Sequence, residues 1–113
     1  MHELGIVYQI MKTVDSVMQE QGLTELDSVT LEIGEMRDII PKFIEEAWQA
    51  VKQTTLYPDA EIKLEIVPAR ARCKKCGTLH DIKAIGFKCP ICKSEELEIF
   101  SGREFEIKQI TAK

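Results

Sequence analysis

Residues 73–92 read CKKCGTLHDIKAIGFKCPIC, and they contain all four cysteines of a chain of 113 residues. The cysteines form two pairs, Cys73-x-x-Cys76 and Cys89-x-x-Cys92, with twelve residues between the pairs. Two thiolates on one tight turn and two on another can bind a single ion from opposite sides, and Zn²⁺ favours such tetrahedral sulfur sites. The spacing therefore predicts a closed four-cysteine zinc site in a small zinc-ribbon-like unit.

Three other chemistries use cysteines in pairs: disulfides, redox exchange and iron binding. No secretory signal precedes the pairs, so we expect a reducing, cytoplasmic location in which disulfides are rare. The two pairs resemble each other and have zinc-ribbon flanks such as Cys76-Gly77 and Cys89-Pro90, which disfavours an asymmetric redox pair. Iron stays open as an alternative, because tetrahedral sulfur suits both metals.

The cysteine region is basic, although the chain as a whole is acidic, with a net charge of −4. Residues 70–93 carry seven basic side chains against one acidic side chain, which gives +6 with neutral thiols and leaves −10 on the rest. The basic groups either stabilise the thiolates or indicate a nucleic-acid or protein-interaction adaptor. The acidic remainder would repel phosphates, which disfavours nucleic acid. Such an adaptor would use Arg70, Arg72, Lys74, Lys75 and Lys88.

Two amphipathic helices are predicted before the cysteines. The first spans residues 3–20 and ends before Gly22, and the second begins at Pro41 and runs to about Thr54. The apolar stripe of the first helix consists of Leu4, Val7, Ile10, Met11, Val14, Val17 and Met18. The side chains that the second helix should bury are Phe43, Ile44, Ala47, Trp48 and Val51.

Alternating apolar and polar residues predict strands at 28–33, 61–67, 97–100 and 104–108. We expect residues 61–67 to pair with residues 103–110, which would place the zinc unit at the tip of a hairpin. The predicted fold class is α+β: two helices packed on a three-stranded sheet, with the zinc-ribbon-like unit inserted before the last sheet strand. The predicted domains are residues 1–69 plus 101–113 and residues 70–100.

The chain begins Met1-His2-Glu3, which offers a second metal-binding option. The α-amine of Met1, the backbone nitrogen of His2 and a ring nitrogen of His2 can close chelate rings around one ion. Deprotonated amides favour square-planar Ni²⁺ or Cu²⁺ over Zn²⁺. From these residues alone an idle, frayed terminus is the commoner outcome.

Several features together resemble the HypA/HybF family of hydrogenase maturation proteins. They are Met1-His2-Glu3-Leu4 at the start of an amphipathic helix, the VTLEIG strand at residues 29–34, the aromatic second helix and the two Cys-x-x-Cys pairs. The likeness covers essentially the whole chain in length and order. One departure is Gly5, where the family commonly has serine.

The resemblance implies a nickel metallochaperone for NiFe hydrogenase, with a nickel-binding α/β domain and a zinc domain. It implies that Ni(II) is held by Met1, His2 and Glu3, and that Zn(II) is held by the four cysteines. The implied partners are a HypB-type GTPase and the hydrogenase large subunit, and some members of the family also serve urease.

The sequence does not indicate an enzyme. The chain has only two histidines, no recognisable nucleophile with a base, and no glycine-rich phosphate loop, so any GTP hydrolysis belongs to the partner. The second histidine, His80, is a solvated loop side chain, an alternate zinc ligand, or a group that titrates near neutral pH and links the conformation of the ribbon to acidity. No apolar run approaches the roughly 20 residues that span a bilayer, so no membrane partner is expected.

Overall fold

The computed structural model describes residues 3–113, so the predictions on Met1 and His2 lie outside the described residues. Its contacts divide the chain into two compact units. The first contains the described residues up to Glu32, together with Asp38–Glu65 and Glu106–Lys113, and the second contains Ile33–Arg37 and Ile66–Phe105. The elements are α1 (Glu3–Glu20), β1 (Leu26–Gly34), α2 (Pro41–Lys52), β2 (Glu61–Val67), β3 (Arg70–Cys73), β4 (Leu79–Asp81), α3 (Ile82–Ile85), β5 (Leu97–Ser101) and β6 (Phe105–Ala112).

Helix α1 has the predicted bounds and ends for the predicted reason. Gly22 has a φ of 67°, and the N–H of Leu23 donates to the carbonyl of Met18 at 2.9 Å, which closes the helix with a left-handed glycine. Leu4 is 49% exposed, so its assignment to the buried stripe is wrong and burial begins one turn later. The buried side chains of α1 are Val7, Ile10, Met11, Val14 and Met18.

Helix α2 begins at Pro41 as predicted and ends two residues earlier than predicted. The hydroxyls of Thr54 and Thr55 donate to the carbonyls of Val51 and Lys52 at 2.8 and 2.7 Å. These side chains satisfy carbonyls that another helical turn would otherwise have used, so the helix stops at Lys52.

One face of α2 is buried, and it is narrower than predicted. Ile44, Trp48 and Val51 are buried, whereas Phe43 is 44% exposed, so the predicted burial of Phe43 is wrong. Lys52 is buried as well, and its Nζ and the Nε1 of Trp48 both donate to the carbonyl of Ala60, at 3.1 and 2.9 Å. A shared backbone acceptor thus allows two polar atoms into the core.

The first sheet has the strand order β2-β1-β6. The predicted direct pairing of residues 61–67 with residues 103–110 is therefore wrong, because β1 lies between them. Both faces of β1 are buried, since Ser28 and Thr30 are buried as well as Val29 and Leu31, and this burial is typical of a central strand. The flanking strands β2 and β6 keep exposed positions in alternation, as edge strands do.

One polar contact joins the two edge strands across the central strand. The Nζ of Lys108 on β6 lies 2.8 Å from Oε1 of Glu65 on β2, reaching past the central strand. Glu65 raises the pKa of Lys108, and Glu32 on β1 contributes to that rise. Side chains of two edge strands therefore meet as cross-strand neighbours would.

The second unit contains the antiparallel sheet β4-β3-β5 and the short helix α3. Strand β5 confirms the predicted strand at residues 97–100, whereas the sequence did not predict β3, β4 or α3. Ala69, Ala71 and Ile82 form a small buried cluster, with Leu97 and Ile99 packed against it. This cluster is small, so the unit needs a further source of stability.

Residues 33–37 are held by backbone and side-chain contacts inside the second unit. Gly34 lies against Gly102 so closely that a Cβ at residue 34 would collide with the Gly102 carbonyl. The carboxylate of Glu35 accepts the N–H of Ala69 at 3.1 Å and lies 3.2 Å from Nζ of Lys83. These two contacts, the Ala69 hydrogen bond first, lower the pKa of Glu35.

The α+β fold is confirmed: two long helices and a three-stranded sheet, with a ribbon-like unit before the last sheet strand. Among residues 3–113, no helix combines the length and the apolar character that crossing a membrane requires.

Candidate metal centre

The four cysteines predicted as ligands converge on one point. Their Sγ atoms all lie within 4.8 Å of one another, and the separations are 3.4 Å for Cys73–Cys92 and 3.6 Å for Cys76–Cys89. A zinc ion with Zn–S bonds of about 2.3 Å places tetrahedral sulfurs about 3.8 Å apart. The four sulfurs therefore fit a single tetrahedral ion, and all four cysteines are free thiols.

Two turns of the same design position the sulfurs. We call residues 73–78 the first knuckle and residues 89–94 the second knuckle. The N–H of Gly77 donates to the carbonyl of Cys73 at 2.8 Å, and the N–H of Lys93 donates to that of Cys89 at 2.9 Å. Gly77 and Lys93 have φ values of 77° and 65°, so both turns need the left-handed region at the same place.

Each knuckle is closed by a second backbone hydrogen bond. The N–H of Cys73 donates to the carbonyl of Thr78, and the N–H of Cys89 donates to that of Ser94, both at 2.9 Å. The two halves of the site are therefore related by approximate symmetry, with Thr78 and Ser94 in matching positions.

The turns also direct backbone N–H groups at the sulfurs. The N–H groups of Cys76 and Lys75 lower the pKa of the Cys73 thiol. Those of Cys92 and Ile91 lower the pKa of the Cys89 thiol to about 5. A sulfur that receives N–H donors is stabilised as the thiolate, which is the form that binds metal.

Cys92 responds in the opposite direction. The N–H of Ser94 lowers its pKa, but the neighbouring Cys73 sulfur, partial loss of solvation, and the Cys89 and Cys76 sulfurs outweigh that bond and raise the pKa to about 11. Four thiolates in one cluster repel one another, so without a cation at least one sulfur keeps its proton. A divalent cation removes this conflict by neutralising the shared charge.

The four cysteines are unequally buried. Cys73 and Cys89 are buried, with 1% and 0% of their surface exposed, whereas Cys76 and Cys92 are exposed. An ion held by these sulfurs would have two shielded and two accessible ligands.

Two polar side chains lie beside the sulfurs, and the sequence did not predict their positions. His80 lies on β4 and is half-buried, with Nε2 3.8 Å from Sγ of Cys89, so its interpretation as a solvated loop side chain is wrong. Thr78 was not predicted at all, yet its Oγ1 lies 3.0 Å from Sγ of Cys76 and 2.7 Å from Nε2 of His80. No motif marks a threonine in this role, and only the knuckle geometry identifies it.

The basic side chains around the centre are partly paired. Arg70 lies 3.1 Å from Asp81, and Arg72 lies 3.7 Å from Glu98. Two of the five groups that an adaptor for nucleic acid would use are thus engaged with carboxylates, which reduces the positive field available to phosphates.

Of the predicted nickel ligands, the structure describes only Glu3. It is the first residue of α1 and is half-buried. Met1 and His2 lie outside the described residues, so the nickel site stays a prediction.

The sequence model of a known family matches residues 1–112, and its description is hydrogenase/urease nickel incorporation, metallochaperone, HypA. The chain belongs to the HypA family. Hydrogenase maturation factor HypA of Desulfatibacillum aliphaticivorans is 33% identical over 111 residues, covering 97% of this chain and 85% of that protein. HypA of Desulfosudis oleivorans is 32% identical over 115 residues, covering 100% and 99%. HypA proteins are metallochaperones and maturation factors rather than enzymes.

Two solved structures share the fold. A solution structure of a HypA protein superposes with a TM-score of 0.73 at 19% identity, covering 99% of this chain and 96% of that chain. The solution structure of the nickel metallochaperone HypA from Helicobacter pylori gives 0.69 at 19% identity, covering 99% and 97%. These likenesses place the two helices and the cysteine unit in the HypA fold.

Proposed function

We propose that this chain binds Ni(II) through Met1, His2 and Glu3 and delivers it for the maturation of NiFe hydrogenase. The observation that carries the proposal is the extent of the family match, because residues 1–112 include both the N-terminal triplet and all four cysteines. The description of the family, nickel incorporation, supplies the cargo.

The N-terminal triplet has the donor chemistry that nickel prefers. The α-amine, the His2 backbone nitrogen and the His2 imidazole supply three nitrogen donors, and the Glu3 carboxylate or amide can supply a fourth. Amide donors favour square-planar Ni(II). Raw affinity would favour copper over nickel, so selectivity must come from delivery and partner recognition.

A carrier must also release its metal, and the position of the triplet suits release. Glu3 is the first residue of α1. A partner that bends the first turn of this helix would therefore move the Glu3 donor away from the donor atoms of Met1 and His2. Helix ends open at low free-energy cost compared with the core. The affinity of amine and amide donors also falls with protonation, which a partner surface can promote.

We propose that Zn(II) occupies the four cysteines and stabilises the second unit. Four protein ligands leave no open position for chemistry, which is typical of structural zinc. The small apolar cluster of this unit supports the same conclusion, because a bound ion would supply the stability that packing lacks. In this proposal residues 1–69 plus 101–113 are the nickel-binding domain and residues 70–100 the zinc-binding domain.

The proposed partners follow from the same family. A HypB-type GTPase would supply the hydrolysis that this chain does not perform, and the hydrogenase large subunit would receive the nickel. Urease maturation factors are further candidates, because the family description names urease beside hydrogenase. The cytoplasmic location stays a prediction.

The test is a Ni²⁺ titration of untagged, zinc-loaded protein with an authentic Met1, followed by visible absorption and metal analysis. We expect one square-planar nickel per chain, lost in His2→Ala while zinc stays at one per chain. His80→Ala is the matched control, because His80 is the only other histidine. Equal nickel binding by the wild type and His2→Ala would contradict the proposal, as would loss of nickel in the His80→Ala control.

A further inference from the structure

The side chain of Thr78 lies between the two knuckles. Its hydroxyl oxygen is 3.0 Å from Sγ of Cys76 in the first knuckle and 3.7 Å from Sγ of Cys89 in the second. The same oxygen is 2.7 Å from Nε2 of His80. Both Thr78 and His80 are half-buried, so water competes only partly for these contacts.

Counting protons fixes the direction of each hydrogen bond. Cysteines bind metal as thiolates, so the sulfurs of a loaded site carry no hydrogen and can only accept. The Thr78 oxygen lies only 3.0 Å from Sγ of Cys76, where facing lone pairs would repel, so the single hydroxyl hydrogen points at sulfur and the hydroxyl lone pairs face His80. Nε2 of His80 must therefore carry a hydrogen, and it donates that hydrogen to the Thr78 oxygen at 2.7 Å rather than to Sγ of Cys89, which is farther away at 3.8 Å.

We infer that Thr78 is a positioning residue of the metal centre: its hydroxyl holds the Cys76 thiolate, and Nε2–H of His80 orients that hydroxyl. This inference rests on the proposed occupancy of the four cysteines by zinc. Cys76 is one of the two exposed cysteines, so it is one of the two ligands that water or a chelator reaches most readily. A fixed hydrogen bond to this sulfur slows the step in which the ion leaves.

The approximate symmetry of the site supplies an internal control. Ser94 occupies in the second knuckle the position that Thr78 occupies in the first. Its Oγ accepts the N–H of Glu96 at 3.0 Å, and among the described residues no hydrogen bond joins that oxygen to a cysteine sulfur. Ser94→Ala therefore removes a hydroxyl from the matching place without removing a bond to a ligand.

The experiment follows zinc transfer from the full-length, zinc-loaded protein to a chromophoric chelator, 4-(2-pyridylazo)resorcinol. We expect Thr78→Val to release zinc about 10-fold faster than the wild type, because losing a hydrogen-bond partner of a metal ligand typically lowers metal affinity about 10-fold or more. Thr78→Ser keeps the hydroxyl and should release zinc at nearly the wild-type rate, as should Ser94→Ala. Zinc content and circular dichroism before mixing establish that each variant starts folded and loaded.

The role of His80 is tested by a double-mutant cycle. His80→Phe should speed release when Thr78 is present and should change nothing in the Thr78→Val background, because the histidine acts through the hydroxyl. Equal effects of His80→Phe in both backgrounds would contradict the conclusion that His80 acts through the Thr78 hydroxyl.

Failure of the inference is distinguishable from failure of the proposed function. A wild-type protein that holds one zinc and releases it no more slowly than Thr78→Val would overturn the role of Thr78 and leave the zinc site intact. Release by Thr78→Ser as fast as by Thr78→Val would also overturn it, since the hydroxyl would then be irrelevant. A wild-type protein that retains no zinc after metal loading would overturn both.

Discussion

At the scale of single residues, the two knuckles place different amino acids in the same left-handed backbone conformation. Gly77 takes the left-handed conformation without strain, whereas Lys93 takes it against the repulsion between its Cβ and the backbone. A non-glycine residue in this region costs roughly 1–2 kcal/mol. The second knuckle therefore folds with a strain that the first knuckle lacks.

The strain predicts opposite results for matched substitutions. Lys93→Gly should stabilise the zinc-loaded protein by up to about 1 kcal/mol, because relief of strain exceeds the added freedom of the unfolded chain. Gly77→Ala should destabilise it by a similar amount, since nothing lies within 4 Å of the new methyl group and only the backbone conformation is penalised. Urea unfolding of the zinc-loaded variants measures both changes. Destabilisation by Lys93→Gly would show that the lysine side chain contributes more than its backbone strain removes.

At the scale of helices and strands, the sequence predicted the periodic elements and missed the short ones. The spacing of apolar residues gave α1 its bounds, and Gly22 marked its end. Strands β3 and β4 have four and three residues, too few for an alternating pattern to stand out. They form because the knuckles bring Arg72 opposite both Leu79 and Glu98.

The order of the strands lay beyond what alternation can supply. Alternation reports which side of a strand is buried and does not identify the neighbouring strand. Ser28 and Thr30, polar residues on the second face of β1, are buried in the structure because strands lie on both sides, and their polarity in the sequence gave no sign of this. The grouping of the four cysteines was predictable from spacing alone, whereas the position of Thr78 required three-dimensional geometry.

The close approach at the end of β1 gives a prediction for this strand. Gly34→Ala would place a methyl group on the Gly102 carbonyl, and the backbone at that point has little freedom because the N–H of Met36 donates to the same carbonyl at 2.7 Å. We expect a loss of roughly 1–3 kcal/mol, typical of overpacking. Chemical denaturation measures it, with Gly86→Ala as a control in open space whose penalty is conformational only. A Gly34→Ala variant as stable as the wild type would contradict the close approach.

At the scale of the whole molecule, two units differ in what stabilises them. The first has large buried side chains, among them Trp48, Met18 and Leu31, whereas the second has a small apolar cluster and a four-sulfur centre. Structural zinc contributes about 10–16 kcal/mol of apparent folding free energy in small zinc peptides. The second unit should therefore depend on its metal far more than the first.

This difference predicts the outcome of removing one ligand. Cys76→Ala should lose zinc and unfold the second unit, while the helical circular dichroism of the first unit and the proposed nickel binding are retained. Amide hydrogen exchange resolved by residue would show lost protection in β3–β5 and retained protection in α1 and α2. Concerted loss of protection in both units, or loss of nickel binding with zinc, would contradict independent stabilisation.

The central claim is that one chain holds two metals at two chemically different sites. X-ray absorption at the nickel and zinc edges of protein loaded with one equivalent of each metal tests it most directly. We predict a zinc shell of four sulfurs at about 2.3 Å and a nickel shell of nitrogen and oxygen in square-planar geometry. Sulfur in the nickel shell, or nitrogen and oxygen replacing sulfur around zinc, would contradict the assignment of nickel to the N-terminus and zinc to the cysteines.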